Sequence, residues 1–594
     1  MTRRSMLQRV GAWRPELSVE SVALLVSLYL ALCFNAAFWH AVFDGRELGT
    51  LATWRFAAGT FIAMCALHFA LFLCVVARWN IKFLMSLVLI TTAMAAHYMD
   101  RYTVFMDAQM LGNILHTEYP EARELLTTGL LLHVLLLSGP PIVGLWRLRV
   151  RDRPWMRAIG VRLLSLAAAV AVAAGGLLLA YRELSTLMRT HKEVRYLVTP
   201  GNYLYSALRV LLADVHQARR PLIALGTDAR VDGRPPGAKP RLLVIFVGET
   251  ARAPNWGLNG YARDTTPQLR ALGVFNFSNV QSCGTATEVS LPCMFAAIGR
   301  RDYDEDRIRG SQSLLHVLDH AGVRTLWRDN QTGCKGVCAG LPFQQWNRAT
   351  VPGLCANGAC YDEVLLHDLQ KDIDATHGDL VIVLHPLGNH GPSYDARYPD
   401  RFRQFTPVCR SAELNRCTSE QIVNSYDNAI LYADHVVAET IRLLQRQTDR
   451  DAALVYVSDH GESLGEHGLY LHGIPYSIAP AEQTAVPMIA WLTQDLANGA
   501  GIDGACLRAK HAAPLSHDNL FHSVLGLLDV RTAVYEPSLD VFRSCRSAED
   551  VAGTDHADGR ATPDKGDASE PHISEAHPIT QPNDSAHPAN TSDG

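Results

Sequence analysis

The chain has 594 residues, 48% of them hydrophobic and 19% charged, with a formal net charge of −5 and a mean hydropathy of +0.02. That charge balance offers no basic surplus and speaks against a nucleic-acid partner. Nearly all long apolar runs lie before residue 182, which excludes a wholly soluble protein, and the remainder reads as a globular chain.

Five stretches, roughly 19–43, 52–77, 81–99, 124–146 and 158–181, are long and apolar enough to cross a bilayer. The first lacks a clear small-residue cleavage site and is followed by further spans, so it is no signal peptide. Arg3, Arg4, Arg9 and Arg14 precede it, and Arg147, Arg149, Arg151, Arg153 and Arg157 crowd between spans four and five. Connections after spans one and three are poor in positive charge. The expected arrangement is a five-helix transmembrane domain over 1–181, its N-terminus cytoplasmic and everything after residue 182 outside.

Residues 182–240 form a connector. "YRELSTLMRTHKEVRYLVTPGNYLYSALRVLLADVHQ" has amphipathic helical spacing and is expected to lie along the membrane–water boundary. "DGRPPGAKP" (232–240) is a turn-rich break. From 241 the pattern changes to apolar runs that end abruptly in polar residues: "RLLVIFVGE" (241–249), "GVRTLWRDN" (322–330), "GDLVIVLHPLGNHG" (378–391) and "AALVYVSDHGE" (452–462). These read as buried parallel strands. Helical stretches such as "NSYDNAILYADHVVAETIRLLQRQ" (424–447) separate them, so 241–546 is expected to be an α/β domain with a largely parallel sheet. Polar residues gather just after the strands, where ligands bind in open α/β sheets. The final stretch, 547–594, holds ten acidic and two basic residues, four histidines and almost no bulky apolar side chain. It cannot bury a core and is expected to be disordered.

Cysteine usage agrees with export. Cys33, Cys65 and Cys74 fall in spans, and the other ten lie after residue 240. Local pairs 283–293, 334–338, 355–360 and 409–417, with 506–545 by elimination, read as disulfides of an oxidising compartment. No CxxC occurs to favour a zinc knuckle.

The densest chemical signal is "SDHGESLGEHGLYLHG" (458–473), with Asp459 and His460 at a strand end and His467 and His472 following. Its glycines permit turns that let side chains converge. Glu249 ends the domain's first strand. As a lone acid it would read as a helix cap; with Asp459 and His460 it makes a mixed oxygen and nitrogen set that suits zinc and, less exclusively, manganese. "CGTATEVSLPC" (283–293) supplies hydroxyls between two cysteines. A hydroxyl beside a metal ionises readily, which is how a threonine becomes a nucleophile. Helix signals begin here, with Pro292 leaving either Thr287 or Ser290 as the cap, and a helix N-terminus favours an incoming anion.

In this order, "VGETARAPNWGLNGYARDTTPQL", "SCGTATEVSLPCMF", "NHGPSYDARYPDRF" and "SDHGESLGEHGLYLHG" resemble the phosphoethanolamine transferases of Gram-negative inner membranes, especially those modifying lipid A, including the mobile colistin resistance enzymes. The resemblance covers about residues 15–545. It implies a multi-pass α-helical membrane domain plus a periplasmic, zinc-dependent α/β catalytic domain of alkaline phosphatase/sulfatase type, its largely parallel sheet between helices. It implies phosphatidylethanolamine as donor, lipid A as acceptor, a monomer among inner-membrane lipids, and lowered polymyxin susceptibility. Zinc would be held by Glu249, Thr287, Asp459 and His460, with a second ion conceivable, and Thr287 would carry phosphoethanolamine covalently. His390 in "NHGP" and His472 in "YLHG" would contact the transferred group or a second zinc, and Asn330 and Lys335 in "DNQTGCKG" would border the phosphate.

This chain departs from the family at two places. It has Asn389 where Ser is commoner before the "HGP" histidine, and His467 where Asn is commoner, which makes His467 a competing ligand. Asn113, Thr117 and Glu121, four residues apart and so aligned on one helical face, would meet the donor headgroup, although Pro120 interrupts a continuous helix. A sulfatase would need Cys or Ser in a C/S-x-P-x-R context, which "TATEV" lacks. A lipoteichoic-acid glycerolphosphate transferase fits the paired cysteines and lipid A-type motifs less well. A non-catalytic metal-binding sensor would tolerate loss of groups that are all present here. Core sugars or periplasmic glucans are the alternative acceptors.

Overall fold

The computed structural model of the protein describes residues 14–117, 119–217, 221–232, 234, 237–356 and 358–547. Arg3, Arg4 and Arg9, and the acidic tail beyond Ser547, lie outside the described residues.

The first expected span is two helices, α1 (Val19–Cys33) and α2 (Ala36–Phe43), meeting at 61°. Buried Asn35 sits at the bend. Its amide donates to Leu30 O and Thr199 O, and its Oδ1 accepts from Thr199 N, so the side chain replaces helix bonds lost at the break. Next come α3 (Leu51–Val75), α4 (Ile81–Tyr102), the short α5 (Ala108–His116), α6 (Thr128–Arg147) and α7 (Trp155–Thr190). Among the described residues, α3, α4, α6 and α7 are each long and apolar enough to cross a membrane, and the bent α1–α2 pair makes up to five spans. Leucines such as Leu131, Leu135, Leu163 and Leu178 face outward, as lipid-facing positions do. α7 runs to Thr190, past the expected boundary at 181, because no Gly or Pro interrupts "YRELSTLMRT". The connector's second half is α8 (Gly201–Gln217).

α3 and α7 approach through small residues. A Cβ added to Gly176 would lie 2.7 Å from Gly59 O and 2.8 Å from Ala63 N, and one added to Gly59 would lie 2.9 Å from Gly176 O. Without a hydrophobic drive between helices in lipid, such close backbone packing supplies the association. Gly176→Leu is therefore expected to part the two helices and cost about 1–3 kcal/mol, read as a lowered unfolding midpoint of the detergent-solubilised chain.

The soluble part is built on an eight-stranded sheet. In chain order its strands are β1 (Arg241–Gly248), β2 (Phe275–Gln281), β3 (Arg324–Asp329), β4 (Phe343–Gln345), β5 (Leu380–His385), β6 (Asp451–Ser458), β7 (Ala485–Leu492) and β8 (Leu515–Ser516). Across the sheet they run β8-β2-β7-β6-β1-β5-β3-β4. All neighbours are parallel except β7, which is antiparallel to both β6 and β2. The four runs read from the sequence are the contiguous strands β6, β1, β5 and β3. β7 carries Pro487 inside a central strand, which reads against strand, and the register shifts between Val486 and Met488 to admit it.

β1 is buried along its whole length, so successive residues serve opposite cores. Leu243, Ile245 and Val247 pack with Phe295 and Trp327 on one face. Leu242, Val244 and Phe246 pack with Tyr426, Ile430 and Val437 of the long helix Ser419–Gln445 on the other. All five expected disulfides form, 283–293, 334–338, 355–360, 409–417 and 506–545.

Candidate metal and nucleophile site

β1 and β6 pair in parallel with Gly248 opposite Ser458, so Glu249 and Asp459 leave adjacent strand ends side by side. Asp459 Oδ1 accepts from Thr250 N at 3.1 Å and from His460 N at 2.7 Å, which fixes the carboxylate and leaves Oδ2 buried with no hydrogen-bond partner. His460 Nε2 lies 3.4 Å from that Oδ2 and 3.6 Å from Glu249 Oε1. Its Nδ1 lies 2.9 Å from Gly461 O, so Nδ1 carries the proton and Nε2 is the lone-pair nitrogen aimed at the carboxylates. Glu249, Asp459 and His460 are at most 1% exposed. Their donor atoms lie within 4.8 Å of one another. Two buried carboxylates, an imidazole and an orphaned carboxylate oxygen fit a divalent cation of zinc type, because otherwise like charges would share a site from which water is excluded.

The threonine comes from a different strand. β2 leads into α9 (Thr287–Met294), whose N-cap is Ala286, so neither Thr287 nor Ser290 caps and Thr287 is the first helical residue. Thr287 Oγ1 lies 3.1 Å from Glu249 Oε2 and 3.3 Å from His460 Nε2. Val289 N donates to Ala286 O, while the Thr287 and Glu288 N–H groups ahead of it have no acceptor within the helix. The mount is rigid: Cys283–Cys293 closes the loop, Ser290 Oγ donates to Asp459 O, and His517 accepts from Cys283 N at 3.0 Å.

Two further imidazoles adjoin. His472 lies 4.4 Å from His460 between ring centroids, and His390 lies 5.2 Å from His472. His472 Nδ1 is 2.7 Å from Glu462 Oε2, and Tyr394 donates to Glu462 Oε1 at 2.5 Å. Burial raises the Glu462 carboxyl to about 8. Burial, then the charge of His460, lowers His472 to about 3, and burial likewise lowers His390 to about 3. Glu462 and His472 are thus both favoured in their neutral forms. Glu462 was not singled out in the sequence, although its place in "SDHGES", two residues past His460, was the available signal.

A second group unseen in the sequence is Glu288. It meets His116 at 3.3 Å, Arg309 at 3.1 Å and Lys335 at 3.4 Å, and so ties α9 to α5 and to the 334–338 disulfide loop. Lys335 accordingly reaches the residue next to Thr287. Asn330 donates its amide to Cys360 O and Asp362 Oδ1, anchoring another disulfide loop, and its Oδ1 is buried with no hydrogen-bond partner. Asn113 approaches Gly473, beside His472, where its Nδ2 would lie 3.8 Å from an added Cβ. α5 ends at His116, and Thr117 turns to extended backbone with its hydroxyl donating to Asn113 O, so the expected continuous face through Glu121 is broken. The Glu121 side chain lies outside the described residues. His467 is exposed at a left-handed turn, outside the Glu249, Asp459 and His460 donor set, so it does not compete for the metal. Beside α9, between α5 and α8, opens a cavity of about 1170 Å³ lined by Gly112, His116, Tyr205, Glu288, Val289 and Arg300 among others.

Beneath the sheet ends sits a buried ion pair. His385 Nδ1 lies 2.8 Å from Asp329 Oδ2, which also accepts from Trp327 Nε1. Burial opposes charging His385, but Asp329 outweighs it and raises the imidazole; Asp329 is lowered in turn, His385 overcoming its burial. The raised His385 stabilises the fold below its unfolded value and loses that contribution as pH rises through the folded one, while Asp329 loses its share as pH falls through its own lowered value. His385→Ala would strand a buried carboxylate, and a loss of about 3–5 kcal/mol is expected in the unfolding of the detergent-solubilised protein.

Such a sheet, with a hydroxyl at a helix start facing a carboxylate–imidazole set, is an α/β domain of sulfatase type, here carried on apolar helices. Residues 241–530 match the family model described as Sulfatase, and residues 64–215 match that described as Phosphoethanolamine transferase EptA/EptB. Phosphoethanolamine transferase EptA of Salmonella typhimurium is 38% identical over 547 residues, 90% of this chain and 98% of the relative. Phosphatidylethanolamine transferase Mcr-1 of Escherichia coli is 35% identical over 544 residues, 88% of this chain and 98% of the relative. The solved integral membrane protein lipooligosaccharide phosphoethanolamine transferase A (EptA) from Neisseria meningitidis superposes with a TM-score of 0.85 at 35% identity, covering 90% of this chain and 99% of that one. The chain belongs to the phosphoethanolamine transferase family and is an integral membrane protein.

Proposed function

We propose that the protein transfers phosphoethanolamine from phosphatidylethanolamine to a phosphate of lipid A at the bacterial inner membrane, with its N-terminus cytoplasmic and its α/β domain periplasmic. The observation that carries the chemistry is Thr287 Oγ1 within 3.3 Å of both Glu249 and His460, on a helix N-terminus stapled by a disulfide. Glu249, Thr287, Asp459 and His460 would hold one zinc ion. When bound, zinc supplies a Lewis acid that lowers the hydroxyl's pKa and offsets phosphoryl charge.

The chain's own residues do the rest. Thr287 Oγ attacks the donor phosphorus in line, the bond to the diacylglycerol oxygen breaks, and threonine carries phosphoethanolamine. First-turn N–H groups of α9 and the Lys335 ammonium favour the charge on the equatorial oxygens. The proton that leaves the Thr287 hydroxyl is the one the departing diacylglycerol oxygen needs, and His390 and His472, neutral and held beside His460, would relay it. A lipid A phosphate then attacks the same phosphorus and restores Thr287. The cavity between α5, α8 and α9 is lined by Glu288, next to Thr287 in the chain, and would give a lipid headgroup an approach to the site; Asn113, which nears Gly473, would meet that headgroup.

Mass spectrometry of lipid A from cells expressing the full chain tests this reading. A phosphoethanolamine increment on lipid A is expected, together with reduced polymyxin susceptibility, since an added ammonium offsets surface phosphate charge. An increment found instead on core sugars or glucans would keep the transferase and replace the acceptor. No increment anywhere, with the protein present in the membrane, would overturn the proposal.

A further inference from the structure

The segment after β5, residues 386–397, holds much of the site's imidazole chemistry. It carries His390. It also carries Tyr394, whose hydroxyl holds Glu462, which in turn holds His472. One residue anchors this segment at its far end. Arg397 Nε donates to His390 O at 2.6 Å, and its two terminal nitrogens donate to Glu124 at 3.0 and 2.6 Å. Glu124 does not belong to the α/β domain. It lies in the short helix Tyr119–Leu125 just before α6, between two apolar helices. The Arg397 side chain is 4% exposed and the Glu124 carboxylate 28%.

A fork-to-fork guanidinium–carboxylate pair is directional as well as strong. Here it is largely withdrawn from water, so it is worth more than a surface ion pair. A neighbouring bond secures the same place, with Gly129 N at the start of α6 donating to Glu413 at 3.2 Å. The membrane-side loop and the imidazole-bearing loop therefore share one charged hinge pin.

We propose that Glu124 is a positioning residue. Through Arg397 it sets His390, and through the Tyr394–Glu462 chain His472, only while the loop before α6 is docked on the α/β domain. This rests on the reading that these imidazoles serve phosphoethanolamine transfer. Docking then couples the membrane-side loop, which follows α5 at the wall of the headgroup cavity, to completion of the proton-handling groups. Glu124 touches neither the reacting atoms nor the metal donors; its effect travels through Arg397.

The test uses the full-length protein in detergent, with Glu124→Ala, Glu124→Gln, Glu124→Asp, His390→Ala and the Glu124→Ala/His390→Ala double variant. Turnover with phosphatidylethanolamine and lipid A is expected to fall about ten- to a hundredfold in Glu124→Ala, with KM for the donor little changed and with partial recovery in Glu124→Asp. The double variant is expected to be no slower than His390→Ala, because both changes disable one unit. Hydrogen exchange over 386–397 is expected to speed up in Glu124→Ala and Glu124→Gln without substrate, by more than elsewhere in the α/β domain, with a lowered unfolding midpoint in Glu124→Ala, where Arg397 loses its partner. Wild-type turnover in Glu124→Ala, multiplicative losses in the double variant, or unchanged exchange would each overturn the proposal. A wild-type protein that transfers nothing would instead overturn the functional reading, and exchange would still decide whether the hinge pin exists.

Discussion

Cells expressing Thr287→Ala are expected to contain the protein in their membranes yet show no phosphoethanolamine on lipid A. Turnover should fall by ~10⁴-fold or more, as when a covalent nucleophile is removed from a site whose other parts remain. The reason is local. Thr287 Oγ1 is the hydroxyl placed against Glu249 and His460, and Ser290 on the next turn spends its own hydroxyl on the Asp459 carbonyl. Ser290 therefore cannot substitute. Thr287→Ser, which keeps the hydroxyl and loses a methyl, should retain part of the activity. Lipid A mass spectra and the purified enzyme's turnover check both variants. Wild-type modification by Thr287→Ala would remove the threonine from the mechanism.

The second large effect is expected on metal removal. Glu249 and Asp459 present buried carboxylates to one point, and Asp459 Oδ2 has no hydrogen-bond partner. A divalent cation there binds only the folded state, so saturation a thousandfold above Kd stabilises the protein by ~4 kcal/mol. Dialysis against a chelator is expected to lower the unfolding midpoint by several degrees and to abolish transfer, with zinc restoring both. Asp459→Asn should remove the response: one anionic donor is lost, like-charge repulsion is relieved, and the metal-free and metal-supplied midpoints converge. Scanning calorimetry with and without zinc reads this independently of activity. A midpoint indifferent to chelator in the wild type would count against a resident ion.

These two expectations concern residues visible in the chain before any fold was known, and the reason is chemical. Glu249, Asp459 and His460 stand at the ends of long apolar runs, and a polar residue at such an end has few structural uses other than a site. Thr287 stood between two cysteines in a stretch of small hydroxyl residues. The contiguous strands β3, β5, β1 and β6 were legible for the same reason, being buried on both faces and hence continuously apolar. β7 was not, because Pro487 speaks against a strand until a bulge accommodates it. The bend between α1 and α2 was hidden too. Asn35 can end a helix only because Thr199, 164 residues away, offers the bonds that replace it.

Composition and spacing by themselves determined the two-part architecture, the mixed set of Glu249, Asp459 and His460 as candidate donors and the four local disulfide pairs, because each rests on residue type or short spacing; Cys506–Cys545 followed by elimination, and the choice of Thr287 as candidate nucleophile came from the family resemblance. Tertiary structure alone decided which side chains meet across the chain. It turned His467 outward, tied the Asn330 amide to a disulfide loop, made Glu288 a node for two cations and an imidazole, and joined Glu124 to Arg397 across 273 residues. Pairings of that kind depend on where strand ends and loops converge, and no local pattern in a sequence encodes that convergence.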